Sequence, residues 1–127
     1  MTVVVDAAAV MALMLAEKGA DVVAGIIRGS KMSAVNVSEC CARGVERGAT
    51  AEDVLGIVRA YEVEVISFDL RFALEAARLR EPTRSAGAGI GDRACLALAR
   101  LSGATVYTAD GRLAALHGTE VDVRMIR

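Results

Sequence analysis

The sequence predicts an α/β fold, a three-layer α/β/α sandwich with a central, mostly parallel five-stranded sheet. Three observations carry the prediction. Short β-branched segments alternate with longer stretches at helical spacing, the pattern that strand–helix–strand crossovers produce. The first segment, Val3-Val4-Val5, is apolar on both faces, as in a strand covered by helices on either side. Hydrophobic residues make up 54% of the chain and aromatics only 3%, so the core must be built from Ala, Val, Leu, Ile and Met.

The elements follow in order. Val3 to Val5 is the first strand, and Ala7 to Glu17 a helix stopped near Gly19. Ala20 to Ile27 forms a second helix closing at Gly29. A short strand, Lys31 to Ser33, leads into a helix from Ala34 to Arg47 that ends at Gly48. Thr50-Ala51-Glu52-Asp53 is a capping signature for a helix reaching Tyr61, with Thr50 as the cap and acids in the first turn. Val63 to Phe68 is the third strand, and Asp69 caps a helix to Arg80. Pro82 and the glycines at 87, 89 and 91 mark the longest loop. Asp92 to Leu101 is helical, Thr105 to Thr108 a fourth strand, Leu113 to His117 a short helix and Val121 to Met125 a fifth strand. No repeat, charge block or linker interrupts the 127 residues, which therefore read as a single domain, 1–127.

Several classes are excluded by composition. A net charge of -1 argues against a protein that coats nucleic acid through charge alone. The longest uncharged apolar run, Ala7 to Ala16, is ten residues, about half a membrane span. Asp6 stands where a signal peptide would carry basic residues. Cys40, Cys41 and Cys95 lack Cys-x-x-Cys spacing and read as reduced thiols of a cytoplasmic protein rather than as zinc ligands. A serine or cysteine hydrolase would have only His117 as base, and His117 precedes Gly118 at a helix end, where capping explains it. Gly87-Ala88-Gly89-Ile90-Gly91 lacks the dinucleotide-binding spacing and follows no strand. Phosphoryl transfer of the haloacid-dehalogenase kind wants a second acid two residues after Asp6, where Ala8 stands.

The acids are the informative residues. Asp6 directly follows the first strand and Asp110 closely follows the fourth, so in a parallel sheet both reach the same edge. Asp92 opens the helix that crosses over to that fourth strand, and so starts on the same side. Glu39 lies within about 60° of the helix face that holds Val35 and Ala42, at ~100° per residue. Each has a plainer reading: Asp6 and Asp92 as helix caps, Asp110-Gly111 as a turn, Glu39 as a snorkelling side chain. Together at one edge they would repel one another and take up protons unless a cation were present. A set of carboxylate oxygens without converging His or Cys suits Mg²⁺ or Mn²⁺. Such a cation can bind phosphate oxygens, activate water and stabilise a leaving oxygen. With the four acids set aside, 15 basic residues face 12 acidic ones, and 13 of the basic residues are Arg. That surplus can meet a polyanion.

The segments Val3-Val4-Val5-Asp6-Ala7, Ser33-Ala34-Val35-Asn36-Val37-Ser38-Glu39, Gly91-Asp92-Arg93-Ala94-Cys95-Leu96-Ala97-Leu98-Ala99 and Thr108-Ala109-Asp110 resemble the four acidic motifs of the PIN domain. The similarity is greatest to the VapC-type toxins of toxin–antitoxin pairs, and it spans nearly the whole chain. The resemblance implies a metal-dependent endoribonuclease that cleaves structured RNA, tRNA or ribosomal RNA, and so stops translation. It implies Mg²⁺ or Mn²⁺ held by Asp6, Asp92 and Asp110, with Glu39 completing a pocket in which all four acids are catalytic. Asn36, one helical turn before Glu39, would support the ligands by hydrogen bonding. The implied partners are an RNA substrate, a second copy in a homodimer and a VapB-like antitoxin, with DNA met only through the antitoxin complex and no membrane.

Two departures from that family matter. Ala8 stands where a Ser or Thr is usual, and Ser38, Thr108 or a water would have to replace the missing hydroxyl. Gly111 precedes Arg112, where the family often has Arg directly after the Asp. The alternative function is accordingly a catalytically weakened PIN module that acts by binding RNA or antitoxin.

Overall fold

The computed structural model describes residues 1–127. Five strands, β1 (Val3–Val5), β2 (Lys31–Ser33), β3 (Glu64–Ile66), β4 (Thr105–Thr108) and β5 (Asp122–Met125), form one sheet in the order β3-β2-β1-β4-β5. Every pairing is parallel, so the sheet is wholly rather than mostly so. The chain steps outward from β1 to β2 and β3, then returns to add β4 and β5 on the other side. That reversal puts a topological switch point between β1 and β4, and a crevice at such a point lies at the strand C-terminal ends.

The helices are α1 (Ala7–Met14), α2 (Ala20–Ile26), α3 (Ala34–Glu46), α4 (Ala51–Ala60), α5 (Leu70–Arg78), α6 (Arg80–Thr83), α7 (Ile90–Ser102) and α8 (Gly111–Ala114). Alternation along the strands divides them into two layers. Val3, Val5 and Tyr107 join a core with Val10, Val23, Cys40, Val54 and Val58, on the side of α1 to α4. Val4 and Val106 join a second core with Ala76, Leu96, Leu98 and Leu113, on the side of α5, α7 and α8. Both faces of β1 are therefore buried, which is why it reads as an unbroken Val run.

Polar side chains set the starts of several helices by accepting orphan backbone N–H groups. Ser33 Oγ accepts from Val35 N at 3.2 Å, Thr50 Oγ1 from Asp53 N at 3.0 Å and Asp69 Oδ1 from Phe72 N at 3.3 Å. Between α3 and α4 the contact is backbone-close. A methyl group at Gly44 would overlap Val54 Cγ2, so only glycine allows this approach.

Beyond shifts of one or two residues at other ends, the elements differ from the sequence expectation in four places. The first helix ends at Met14 rather than Glu17, because Ala16 turns into a left-handed conformation (φ 53°). The third strand is shorter than Val63 to Phe68, because β2, its only neighbour, has just three residues to pair with it. The segment expected as a long loop is largely helical: α6 continues almost directly from α5, and a 3-10 turn covers Arg84–Ala86. Pro82 fits there because the first turn of a helix leaves its N–H groups unpaired. Finally, the short helix after β4 is Gly111–Ala114, started by Asp110, so the exposed His117 lies beyond it.

Candidate functional site

Asp6 is the residue after β1 and caps α1. The register pairs Val5 with Tyr107, so the next residues, Asp6 and Thr108, emerge side by side. The Thr108 hydroxyl donates to Asp6 Oδ2 at 2.6 Å, and Ala9 N donates to Asp6 Oδ1 at 2.8 Å. Thr108 Oγ1 also accepts from Asp110 N at 3.0 Å. One hydroxyl thus ties both strand-end acids together. Asp6 is only 8% exposed, and burial pushes its carboxyl above the usual Asp range. The two hydrogen bonds work against that rise, while the nearby charges of Asp92 and Glu39 add to it.

Asp92 lies in the first turn of α7, three residues after the cap, since the helix begins at Ile90 with Gly89 as its cap. Half-burial and the charge of Asp110 raise its pKa, partly offset by the Gly89 backbone N–H and by Arg112. Glu39 projects from α3, and its carboxylate is packed against Gly91. Asn36 links the two helices: its Nδ2 donates to Glu39 Oε1 at 2.9 Å and to the Gly91 carbonyl at 3.0 Å. Asn36 Oδ1 is buried without a donor.

Asp110 is different. Arg112 donates to it from its backbone N at 2.9 Å, from Nε at 3.2 Å and from Nη2 at 2.7 Å. The guanidinium holds the Asp110 carboxyl below its usual range. A further bond, from Arg112 Nη1 to the Ala86 carbonyl at 3.1 Å, anchors the arginine across the mouth of the site.

All four acids line one cavity of about 170 Å³, together with Ala7, Ala8, Asn36, Arg43 and Arg112. Of the three substitutes for the hydroxyl absent at Ala8, Thr108 is the one bonded to Asp6; Ser38 is exposed. No three acids stand close enough to enclose a bare ion. The donor set nonetheless fits a hydrated hard cation, which takes one or two carboxylates and keeps its waters. Two features agree with that fit: two carboxyls whose pKa values burial raises and neighbouring like charges raise further, and an acceptor, Asn36 Oδ1, left without a hydrogen. Sequence reasoning missed Arg43 at this cavity; the available signal was its place one helical turn beyond Glu39. It also took Gly91 for loop punctuation, whereas the site requires its bare α-carbon.

A wholly parallel α/β/α sandwich with an acidic cavity at its switch point defines an α/β protein with a strand-end site. The chain belongs to the PIN domain family, whose pattern matches residues 3–118. PIN domains are generally nucleases and generally use divalent metals. In structure the chain is similar to a toxin–antitoxin complex from Klebsiella pneumoniae, with a TM-score of 0.78 at 14% identity over 99% of this chain and 98% of that one. It is also similar to DNA-bound VapBC from Salmonella typhimurium, with a TM-score of 0.74 at 16% identity over 100% and 99% of the two chains. A third likeness is to FitAcB from Neisseria gonorrhoeae, with a TM-score of 0.66 at 20% identity over 96% of each. At these identities the likeness establishes the fold. No curated protein is close enough in sequence to be matched with the chain.

Proposed function

We propose that this chain is a single PIN-like domain, 1–127, acting as a Mg²⁺- or Mn²⁺-dependent endoribonuclease. Its substrate is structured RNA, tRNA or ribosomal RNA, and its role is that of the toxin in a toxin–antitoxin pair that arrests translation and growth. The observation that carries the reading is the single cavity shared by Asp6, Glu39, Asp92 and Asp110 at the strand ends. When bound, the cation supplies positive charge to a phosphate oxygen and an acidified water.

The chain's own groups complete the chemistry. Asp6 and Asp92, raised in pKa by burial and by neighbouring acids, gain most from a cation and are its main ligands. Asp110 is a further ligand, directly or through water. Glu39, aimed by Asn36, orients water and accepts its proton. Thr108 holds Asp6 at a fixed angle. Arg43 and Arg112 face the same cavity with forked donors that suit phosphate oxygens.

The proposed partners are a VapB-like antitoxin and a second copy of the chain, with DNA reached only through the antitoxin; two structural neighbours, a toxin–antitoxin complex and DNA-bound VapBC, support the antitoxin and DNA part of this assembly. The proposed setting is the cytoplasm; no helix is long and apolar enough to cross a membrane. Purified protein incubated with Mn²⁺ and total RNA, followed by mapping of the cut ends, tests the activity. Discrete fragments that vanish in Asp6→Asn support it, and fragments that persist in that variant reject the assignment. A second reading, a weakened module that only binds RNA or antitoxin, is favoured by the Arg112 clamp on Asp110. It predicts RNA shifted in a gel without fragments.

A further inference from the structure

Sulfur converges at one point of the contact between α1 and α3. Met11 and Met14 stand three residues apart on α1 and so share a face of that helix. Cys40 meets them from α3: its Sγ lies 3.5 Å from Met11 Sδ and 4.0 Å from Met14 Sδ. Cys40 is fully buried, Met11 nearly so, and Met14 is half-buried. The neighbouring cysteine behaves differently. Cys41 donates to a backbone oxygen, the Ala51 carbonyl, at 3.5 Å, whereas the Cys40 thiol has no partner but the two thioethers. A thioether is a weak acceptor, so as a hydrogen bond the pairing gives the thiol little. As ligands the three atoms are a matched soft set.

We propose that Cys40, Met11 and Met14 form a three-sulfur site for a single Cu⁺ ion. None of the three lines the acidic cavity, and the site stands whether or not the chain is a nuclease. Thiolate and thioether ligands select Cu⁺, while Mg²⁺ and Mn²⁺ want oxygen. Charge decides against zinc as well. Cu⁺ bound by one thiolate is neutral overall and tolerates an apolar interior, whereas Zn²⁺ would leave a net positive charge there. Metal–sulfur bonds of about 2.3 Å directed to the corners of a triangle hold their ligands about 4.0 Å apart. The Cys40–Met14 pair has that spacing already. The closer Cys40–Met11 pair reaches it by a small torsional change in an unbranched, flexible side chain. Met11 also lines an open cavity of about 430 Å³, which gives the ion a route in. On binding, the Cys40 proton leaves to solvent and copper keeps its oxidation state, so no oxidant or reductant is required. The filled site joins α1, which Asp6 caps, to α3, which carries Glu39.

Anaerobic titration of the purified protein with Cu⁺, in competition with a coloured Cu⁺ chelator, tests the site. Wild type should take one equivalent, and Cys41→Ala should match it. X-ray absorption at the copper edge should find three sulfur neighbours. Met11→Leu combined with Met14→Leu keeps the volume of the core, so this variant should fold. Its Cu⁺ affinity should nevertheless fall by more than the roughly 10–100-fold that changes just outside a ligand shell produce. Cys40→Ala should surrender the ion to the chelator altogether, with a circular dichroism spectrum like that of wild type. If Cys40→Ala does not fold, the methionine pair decides alone. Cu⁺ held as tightly by the leucine pair as by wild type overturns the proposal, as does a copper edge showing nitrogen or oxygen ligands. Loss of the ion in Cys41→Ala, or its displacement by one equivalent of Zn²⁺, overturns it too.

Discussion

The Glu39 carboxylate rests on the bare α-carbon of Gly91: a methyl group at that position would stand 2.5 Å from Oε2 and 2.6 Å from Oε1. Because the obstructing atoms are the end of a flexible side chain, Gly91→Ala should fold, with a melting temperature close to wild type. Alanine also favours the helix by about 1 kcal/mol over glycine. The cost falls on the site. Glu39 must swing away, which strains its bond to Asn36, and RNA cleavage should fall by roughly 10–100-fold. Thermal melting and cleavage rate measured on one preparation check this; undiminished cleavage would remove Glu39 from the chemistry.

Asn36→Ala should reach the same end by another route. It removes the donor to Glu39 and the bond to the Gly91 carbonyl, so Glu39 loses its aim while the carboxylate itself stays. A loss of roughly 10–100-fold in Mn²⁺ affinity or cleavage rate is expected. An unchanged titration by calorimetry together with an unchanged rate would place Asn36 outside the site.

How much of this was legible in the sequence depends on which residues carry only one role. Val3 to Val5 must be covered on both faces, and Thr50 and Asp69 cap helices, so each announces its place. Asp6 and Asp110 were placed at one edge because parallel strands end on the same side. Gly91 is hard to read because glycine usually breaks helices, yet here it stands in the first turn of one, where a carboxylate can lie across it. Arg43 was invisible because an exposed Arg on a helix looks the same whether it faces solvent or a cavity. The Arg80–Ala86 segment is opaque in the sequence because Pro82 suits the end of a helix as well as the first turn it occupies here.

The raised pKa of Asp6 makes stability depend on pH in a stated direction. A carboxyl whose folded-state pKa lies above its unfolded value, about 3.9, binds more protons folded than unfolded between those two values. Its contribution is therefore most favourable below the unfolded pKa and is lost as pH rises through the raised one. Asp92 acts in the same sense, and Asp110, held low by Arg112, acts in the opposite one. Asp6→Asn removes the burial penalty of this carboxylate while its amide oxygen still accepts from Ala9 N. Without divalent cations it should melt higher than wild type at pH 7.5, with the difference shrinking toward pH 4, and it should abolish RNA cleavage. A melting temperature lower than wild type across the whole range would mean that capping by the carboxylate outweighs its desolvation.

Gly44→Ala tests the close approach of α3 and α4. The helix itself gains about 1 kcal/mol from alanine. Against that, the new methyl meets Val54 Cγ2 in a region where Val54 is 1% exposed and has no room to retreat. Overpacking of this kind costs about 1–3 kcal/mol, so the net effect is a loss of stability. Adding Val54→Ala removes the obstructing methyl, and the pair should be less destabilising than the sum of its members. Additive losses in urea denaturation would show that the helices separate freely at this point.

Arg112 competes with any cation for Asp110. Its guanidinium already spans both carboxylate oxygens, and its hold on the Ala86 carbonyl keeps it in position. A divalent ion must displace it to reach Asp110 directly, so Arg112→Ala should bind Mn²⁺ more tightly. The pair is largely exposed and water screens it, which limits the gain to roughly two- to fivefold. The same substitution strips a positive group from the cavity that would meet the phosphate, so RNA affinity should fall while cation affinity rises. Calorimetric Mn²⁺ titration and RNA binding, measured side by side on wild type and Arg112→Ala, separate these effects by their opposite signs. Weaker binding of both ligands would show that Arg112 supports the site's shape rather than contending for Asp110.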